Sequence, residues 1–236
     1  MSLAARIRNS NSAAARALRR FYYRVYRLSL PLPGIVCVML WQASRHVVRL
    51  YYWGKSAFWV TPLYRGLCTA VGKDFKAGTF VPYVEGTGRI FLGDNVRFDG
   101  KQNYIFSSIR SVMPEIHVGD NTGFGHGVTF DIAGKLIIGK KCLIAGGVTF
   151  QDCGGHSLVP EKRACGEPPT EKDVRDITIG DNVWIGAGAY ISPGARIGEN
   201  CVVAANTTVA RNIPPNSLVY ALPAKVVTIR NISKVI

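Results

Sequence analysis

Ile179-Gly-Asp-Asn-Val-Trp-Ile-Gly-Ala-Gly-Ala-Tyr-Ile-Ser-Pro-Gly194 opens the stretch that decides the fold, and the same register continues to Ile213. Read in sixes, the first positions are Ile179, Ile185, Ile191, Ile197, Val203 and Val209. The fifth positions are Val183, Ala189, Ala195, Cys201, Thr207 and Ile213. An α-helix repeats at 3.6 residues and a plain strand at two, so neither explains a period of six. A hexad held over six turns is the mark of a parallel β-helix, in which each short strand forms one flat wall. Three hexads close a triangular coil of eighteen residues. Position one then points inward, and position five is small enough for a corner. Gly and Ala fill most second positions, and Gly at a turn tolerates a positive φ.

The rhythm extends upstream. Leu92-Gly-Asp-Asn, Val118-Gly-Asp-Asn, Ile138-Gly-Lys-Lys, Ile179-Gly-Asp-Asn and Ile197-Gly-Glu-Asn are five copies of one turn signature. Their separations are 26, 20, 41 and 18 residues, so three intervals exceed one coil by 8, 2 and 23. Each excess is an excursion out of the coil. The longest lies between Phe150 and Ile179 and contains Asp152-Cys-Gly-Gly-His156-Ser. A long excursion from a regular solenoid is a usual seat of function. Pro214 and Pro215 end the coils. The tail carries Lys225, Arg230 and Lys234.

The net charge of +14 is unevenly placed. Residues 1–73 hold twelve Lys and Arg and no acid; the first acid is Asp74. Such a basic head implies an anionic surface as partner. Arg16, Arg19, Arg20, Arg24 and Arg27 step by three and four, while Leu18, Phe21, Tyr22, Val25 and Leu28 step likewise on another face. That is a basic amphipathic helix, stopped by Pro31 and Pro33. Ile35 to Trp41 is an apolar run too short to span a bilayer, which needs about 20 residues, so it is read as interfacial or re-entrant. Tyr51, Tyr52, Trp53, Phe58, Trp59 and Tyr64 add rings of the kind that favour headgroups. Packing against the chain's own coils or a neighbouring subunit competes with this reading. Single-stranded nucleic acid does not fit, because a stacking groove would interleave Arg and rings rather than separate them. The expected organisation is a membrane-associating helical segment over 1–77 and a β-helix domain over 78–236. Six cysteines lack metal-like spacing. Cys142 and Cys201 fall at position five and read as core, and reduced thiols are expected.

Ile179 to Gly194 resembles the hexapeptide-repeat acyltransferases. Asn212-Ile-Pro-Pro-Asn-Ser followed by Leu222-Pro-Ala-Lys-Val is similar to the tail of the galactoside and maltose O-acetyltransferase branch. The resemblance implies an all-β, left-handed parallel β-helix with a helical N-terminal extension and a short C-terminal tail. It also implies acetyl-CoA as co-substrate, no metal, and a homotrimer with sites between subunits.

Four histidines exist: His46, His117, His126 and His156. A histidine is a natural general base near neutral pH. Transfer of an acyl group from a thioester to a hydroxyl needs one, together with N–H donors for the oxyanion. Gly154 and Gly155 allow close backbone approach. Gly155-His156 matches the family's Gly-His pair about two dozen residues before the Ile-Gly-Asp-Asn-Val-Trp block, which makes His156 the implied catalytic base. Ser157 stands where the galactoside enzymes often have Pro. Asp152 is a candidate to orient His156. His126 and Asp131, in the neighbouring coil, are candidate sugar contacts. Ala187, Gly188, Ala204 and Ala205 could line a narrow pantetheine groove, and Trp184 matches the family tryptophan where acceptor meets thioester. Arg211 and Lys225 match family positions near coenzyme A and would hold its anionic end.

The leading expectation is O-acetylation of a membrane-linked or cell-surface polysaccharide or lipopolysaccharide precursor, on the cytoplasmic face of the inner membrane. N-acylation of an amino or nucleotide sugar and a non-catalytic binding module are the alternatives. A γ-class carbonic anhydrase would use His117, His126 and His156 on zinc, but the tight His spacing of that class is absent.

Overall fold

A computed structural model describes residues 10, 12–27, 29 and 31–221. Lys225, Leu28 and the Leu222-Pro-Ala-Lys-Val motif lie outside the described residues. Residues 1–49 and 50–236 form two separate compact units.

In the first unit, α1 (Ala13–Tyr26) starts at Ser12, whose side chain accepts the Ala15 N–H. Its rings are exposed, with Phe21 65% and Tyr26 76% accessible. The apolar run expected at 35–41 is the start of a longer helix, α2 (Gly34–Lys55), which continues past the end of this unit at Arg49 and has no buried residue. Gln42, Arg45, His46 and Arg49 step by three, one and three along α2, which draws a polar stripe on one face of an otherwise apolar helix. Among the described residues no helix is long and apolar enough to cross a membrane.

The second unit is a parallel β-helix. Its coils are built from three sheets. One holds β1 (Ala70–Val71), β4 (Arg89–Leu92), β7 (Glu115–Val118), β10 (Lys135–Ile138), β13 (Ile177–Ile179), β16 (Arg196–Ile197) and β19 (Asn212–Ile213). The second holds β2 (Lys76–Ala77), β5 (Arg97–Phe98), β8 (Gly123–Phe124), β11 (Leu143–Ile144), β14 (Trp184–Ile185), β17 (Val202–Val203) and β20 (Leu218–Val219). The third holds β3 (Tyr83–Glu85), β6 (Gln102–Phe106), β9 (Val128–Ile132), β12 (Thr149–Gln151), β15 (Tyr190–Ile191) and β18 (Thr208–Val209). Successive strands visit the three walls in turn. Strands therefore begin at Ala70, and the boundary expected at residue 77 falls inside the first coil. A π-helical turn (Ser56–Val60) and α3 (Thr61–Leu67) precede it. Val60 and Tyr64 of these helices are fully buried, and the Tyr64 ring stacks on Phe98 at 5.2 Å. This part of the aromatic head is core.

The hexad reading holds residue by residue. Ile179, Ile185, Ile191, Ile197, Val203 and Val209 are at most 2% accessible. Val183, Ala189, Ala195, Cys201 and Thr207 at position five are buried too. The second-position glycines need a different explanation from turn geometry. The left-handed backbone sits at position four, in Asn182, Gly188, Gly194, Asn200 and Asn206. Glycine at position two answers to stacking. A Cβ on Gly180 would lie 2.6 Å from the Glu199 nitrogen, and one on Gly186 2.5 Å from the Ala205 nitrogen.

The Gly-Asp-Asn signature is a ladder between coils. Asp94 accepts the Lys73 N–H at 2.7 Å, Asp120 the Asp94 N–H at 2.9 Å, and Asp181 the Lys140 N–H at 2.8 Å. The Asn182 amide donates to Asn200 at 2.9 Å, and Asn200 to Asn216 at 3.1 Å. Asn suits both tasks, since it tolerates the left-handed region and carries a donor and an acceptor.

Gly180→Ala is expected to destabilise the second unit by about 1–3 kcal/mol, because the added methyl meets backbone that cannot rotate away. At roughly 2–4 °C per kcal/mol for a domain of this size, thermal unfolding should show a clear drop in Tm. An unchanged Tm would show that the coils are not pinned at position two.

Candidate active site

Both long excursions leave the coil at the same corner, between the third sheet and the first. One is residues 107–114, after β6; the other is 152–176, after β12. They are fastened to each other. Arg110 donates from Nη1 to Asp176 Oδ1 at 2.8 Å and from Nη2 to the Val174 carbonyl at 2.8 Å. Glu171 Oε1 accepts from the Ser111 N–H at 2.9 Å and from the Ser111 hydroxyl at 3.1 Å. Beneath these bonds Ala133, Cys153 and Val174 form a small buried cluster with Ile109 against it.

Asp152 is the root of the longer excursion. It is fully buried, and its two oxygens accept the N–H groups of Ala133 at 2.8 Å and Gly134 at 2.7 Å. Its own carbonyl accepts the Arg175 N–H at 2.8 Å, so it ties the two ends of the loop together. The expected bond from Asp152 to His156 is not formed: Asp152 is buried against the backbone of Ala133 and Gly134, and His156 is exposed. Burial pushes the carboxyl up to about 6, and the two N–H bonds pull the other way without cancelling it.

His156 stands on the Gly154-Gly155 turn. It is exposed and, among the described residues, makes no hydrogen bond. A cleft opens on each side of this turn. One, about 340 Å³, is lined by Ser107, Ser108, Asp131, Cys153, Gly155 and Pro168, among others. The other, about 410 Å³, is lined by His156, Leu158, Lys172, Asp173, Arg175 and Pro193, with Gly154. Asp131 lies in β9, in register with Gln151 of β12, and accepts the Gln151 amide at 2.7 Å. Burial raises the Asp131 carboxyl above its ordinary range, opposed by that amide. Tyr190 in the next coil donates to the Gln151 oxygen.

Arg211, between β18 and β19, shares the third-to-first corner with the excursions, whereas His126, Ala187, Gly188, Ala204 and Ala205 occupy a different corner, between the second and third sheets. His126 is exposed there; its Nδ1 accepts the Lys101 N–H at 3.2 Å, and Phe80 meets its ring edge-on at 5.2 Å. Gly147 donates to the His126 carbonyl, Gly188 to the Gly146 carbonyl and Asn206 to the Ala187 carbonyl. His126, Ala187, Gly188 and Ala205, with Ala204 beside it, thus form one column along the coil. Trp184 sits on the adjoining second sheet with 55% of its surface exposed. Arg211 is exposed after β18, beside a shallow cleft with Asn206, Thr208 and Tyr220. Within one chain, therefore, Asp131 and the His156 loop are brought together, while His126, Trp184 and the small-residue column lie on other walls. His117 bonds Glu115 at 2.8 Å and stacks on Phe91, which makes it a surface strand residue. Cys153 and Cys165 are free thiols.

Residues 176–211 match the family model for the bacterial transferase hexapeptide, six repeats. That stretch carries the hexapeptide repeat. Its coil is the parallel β-helix expected from the hexads, of the left-handed kind that the family resemblance implies. A search of curated proteins found no match. Among solved structures, AntD, an N-acyltransferase from Bacillus cereus in complex with dTDP and 3-hydroxybutyryl-CoA, is 16% identical with a TM-score of 0.52. That alignment covers 74% of this chain and 90% of AntD. A maltose O-acetyltransferase from Clostridium difficile 630 is 28% identical with a TM-score of 0.44, over 69% of this chain and 70% of that one. A galactoside acetyltransferase in complex with coenzyme A is 29% identical with a TM-score of 0.47, over 71% and 68% of the two chains.

Sequence reasoning passed over Arg110, Ser111, Glu171 and Gln151. The surplus of eight residues before Val118 located the first two in an excursion, but no periodicity links them to a loop sixty residues away.

Asp152 has a raised folded-state value against an ordinary one near 3.8. It therefore favours folding most when protonated, and its contribution declines as pH rises from about 4 to about 6. Asp152→Asn should remove that decline and lower Tm at every pH, since an amide NH₂ would face one of the two N–H donors and leave it unpaired, about 1–3 kcal/mol. Denaturation curves from pH 4 to 7 check both; an unaltered pH slope would show that Asp152 does not titrate there.

Proposed function

We propose that this hexapeptide-repeat protein is an acetyl-CoA-dependent O-acetyltransferase acting on a sugar hydroxyl, with His156 as general base. The observation that carries this reading is the exposed His156, without a hydrogen bond among the described residues, raised on Gly154-Gly155 between two clefts. Fold and repeat match the acyltransferases named above, and AntD holds an acyl-CoA. In the reaction the neutral imidazole takes the proton from the sugar hydroxyl as its oxygen attacks the thioester carbon. The C–S bond then breaks, and the imidazolium returns the proton to the departing thiolate. The backbone N–H groups of the Gly-rich turn are candidate donors to the oxyanion.

Small residues at Ala187, Gly188, Ala204 and Ala205 leave room for a pantetheine arm against the backbone, with Trp184 beside it and Arg211 and Lys225 for the phosphates. Because that column and His156 lie on different corners, one chain alone does not assemble them. A homotrimer in which the His156 loop of one subunit meets the column of the next would do so. Asp131 and His126 are then acceptor contacts contributed from different subunits.

His156→Ala is expected to lower acetyl transfer about 10²–10⁴-fold with folding intact, since the side chain makes no internal bond. Turnover close to wild type in the folded variant would remove His156 from the mechanism.

The head supports a membrane-linked acceptor, a polysaccharide or lipopolysaccharide precursor reached at the cytoplasmic face of the inner membrane. The Arg face of α1 and the polar stripe of α2 would meet anionic headgroups while their apolar faces enter the interface. Each Arg near an anionic leaflet contributes roughly 1 kcal/mol. The combined change of Arg20, Arg24 and Arg27 to Gln should therefore weaken co-sedimentation with anionic vesicles on the order of 100-fold. Wild-type binding should itself fall as salt rises. Indifference to both would argue that the head packs within the assembly instead.

A further inference from the structure

The two clefts beside His156 differ in charge. The second holds Lys172 and Arg175, with Asp173 as its one acid. The first holds no cation: its lining is Ser107, Ser108, Ile109, Asp131, Ala133, Cys153, Gly155, Pro168 and Pro169. Asp152, buried and next to Cys153 in the chain, acts on its thiol, and Glu85 belongs to the same outward column of the third sheet as Asp131, two coils away. Arg110 is close to this cleft, but its guanidinium is already bonded to Asp176 and to the Val174 carbonyl. With Arg110 offset by Asp176, the carboxylates of Asp131, Asp152 and Glu85 leave the fixed charge around the cleft net negative. Opposite charges a few ångströms apart attract and like charges repel by about 1–4 kcal/mol between bulk water and a protein surface.

A donor bearing phosphates is repelled by such a cleft, which leaves it to the acceptor. Its polar groups suit a sugar: two serine hydroxyls that donate or accept, and a carboxylate held in place by Gln151, itself held by Tyr190. We infer that the cleft between the two excursions is the acceptor pocket and that Asp131 makes it selective. It admits a sugar ring that is neutral or carries an amine and rejects one carrying a carboxylate or phosphate beside the reacting hydroxyl. This rests on the acetyltransferase reading above. Selection by repulsion is a familiar route to specificity, and here one side chain supplies it.

The test uses the full chain, acetyl-CoA, and two acceptors of one configuration: a neutral hexopyranoside and the corresponding uronate, oxidised only at C6. Wild-type kcat/KM should be at least about tenfold higher for the neutral glycoside. Asp131→Asn should shrink that ratio to within about threefold, chiefly by lowering KM for the uronate. Ser108→Lys, which places a cation in the same cleft without touching Asp131, should shift the ratio the same way. Equal use of both acceptors by the wild type, or a ratio that neither variant moves, would overturn the inference while leaving the acetyltransferase reading in place. Failure of the wild type to transfer acetyl to either sugar, with no release of thiol from acetyl-CoA in their presence, would overturn that reading and the inference with it.

Discussion

Each coil must lie against the next at strand-pairing distance, about 4.8 Å, along the whole length of the second unit. Everything else follows from that spacing. Parallel strands two to five residues long cannot hold a sheet alone, so the corners must bond as well as the walls. The Asp and Asn of the turn signature do this, one through its carboxylate to a backbone N–H and the other amide to amide. The same spacing leaves no room for a Cβ at position two. It also stacks the interior side chains into columns: Tyr104, Phe130 and Phe150 lie one over another with nearly parallel rings, centroids 5.0 and 5.7 Å apart.

Stacking also explains where chemistry can sit. A wall residue is flanked by its equivalents in the coils before and after, so its polar groups are mostly taken up by neighbours, as in Glu115 with Arg89, His117 and Lys135. A residue on an excursion escapes that constraint. His156 is exposed and, among the described residues, unbonded because it stands outside the register, yet it is held because Asp152, Arg110 and Glu171 fasten the loop at its root and flank.

The coils were legible because a hexad imposes one residue type at a fixed interval, and six repeats at 179–213 leave little freedom to misread. The excursions were legible as arithmetic surplus. Their interior was not: the bonds of Arg110 and Glu171 join residues with no periodic relation, and Asp152 near His156 in sequence suggested a contact that is not made, since Asp152 is buried and His156 exposed. The aromatic head divided in a way composition could not show. Tyr64 resembles Phe58 and Trp59 in a list of rings, but only Tyr64 meets the end of the coil and is buried there.

Placing both excursions at one corner has a consequence for how such a chain tolerates change in length. Inserting a residue within a strand would turn every following side chain to the opposite face. Adding residues between Gln151 and Ile177 alters no pairing, and doubling a loop costs only about 0.6 kcal/mol of closure entropy. The corner that carries His156 can thus change length without disturbing strand pairing, which a strand cannot.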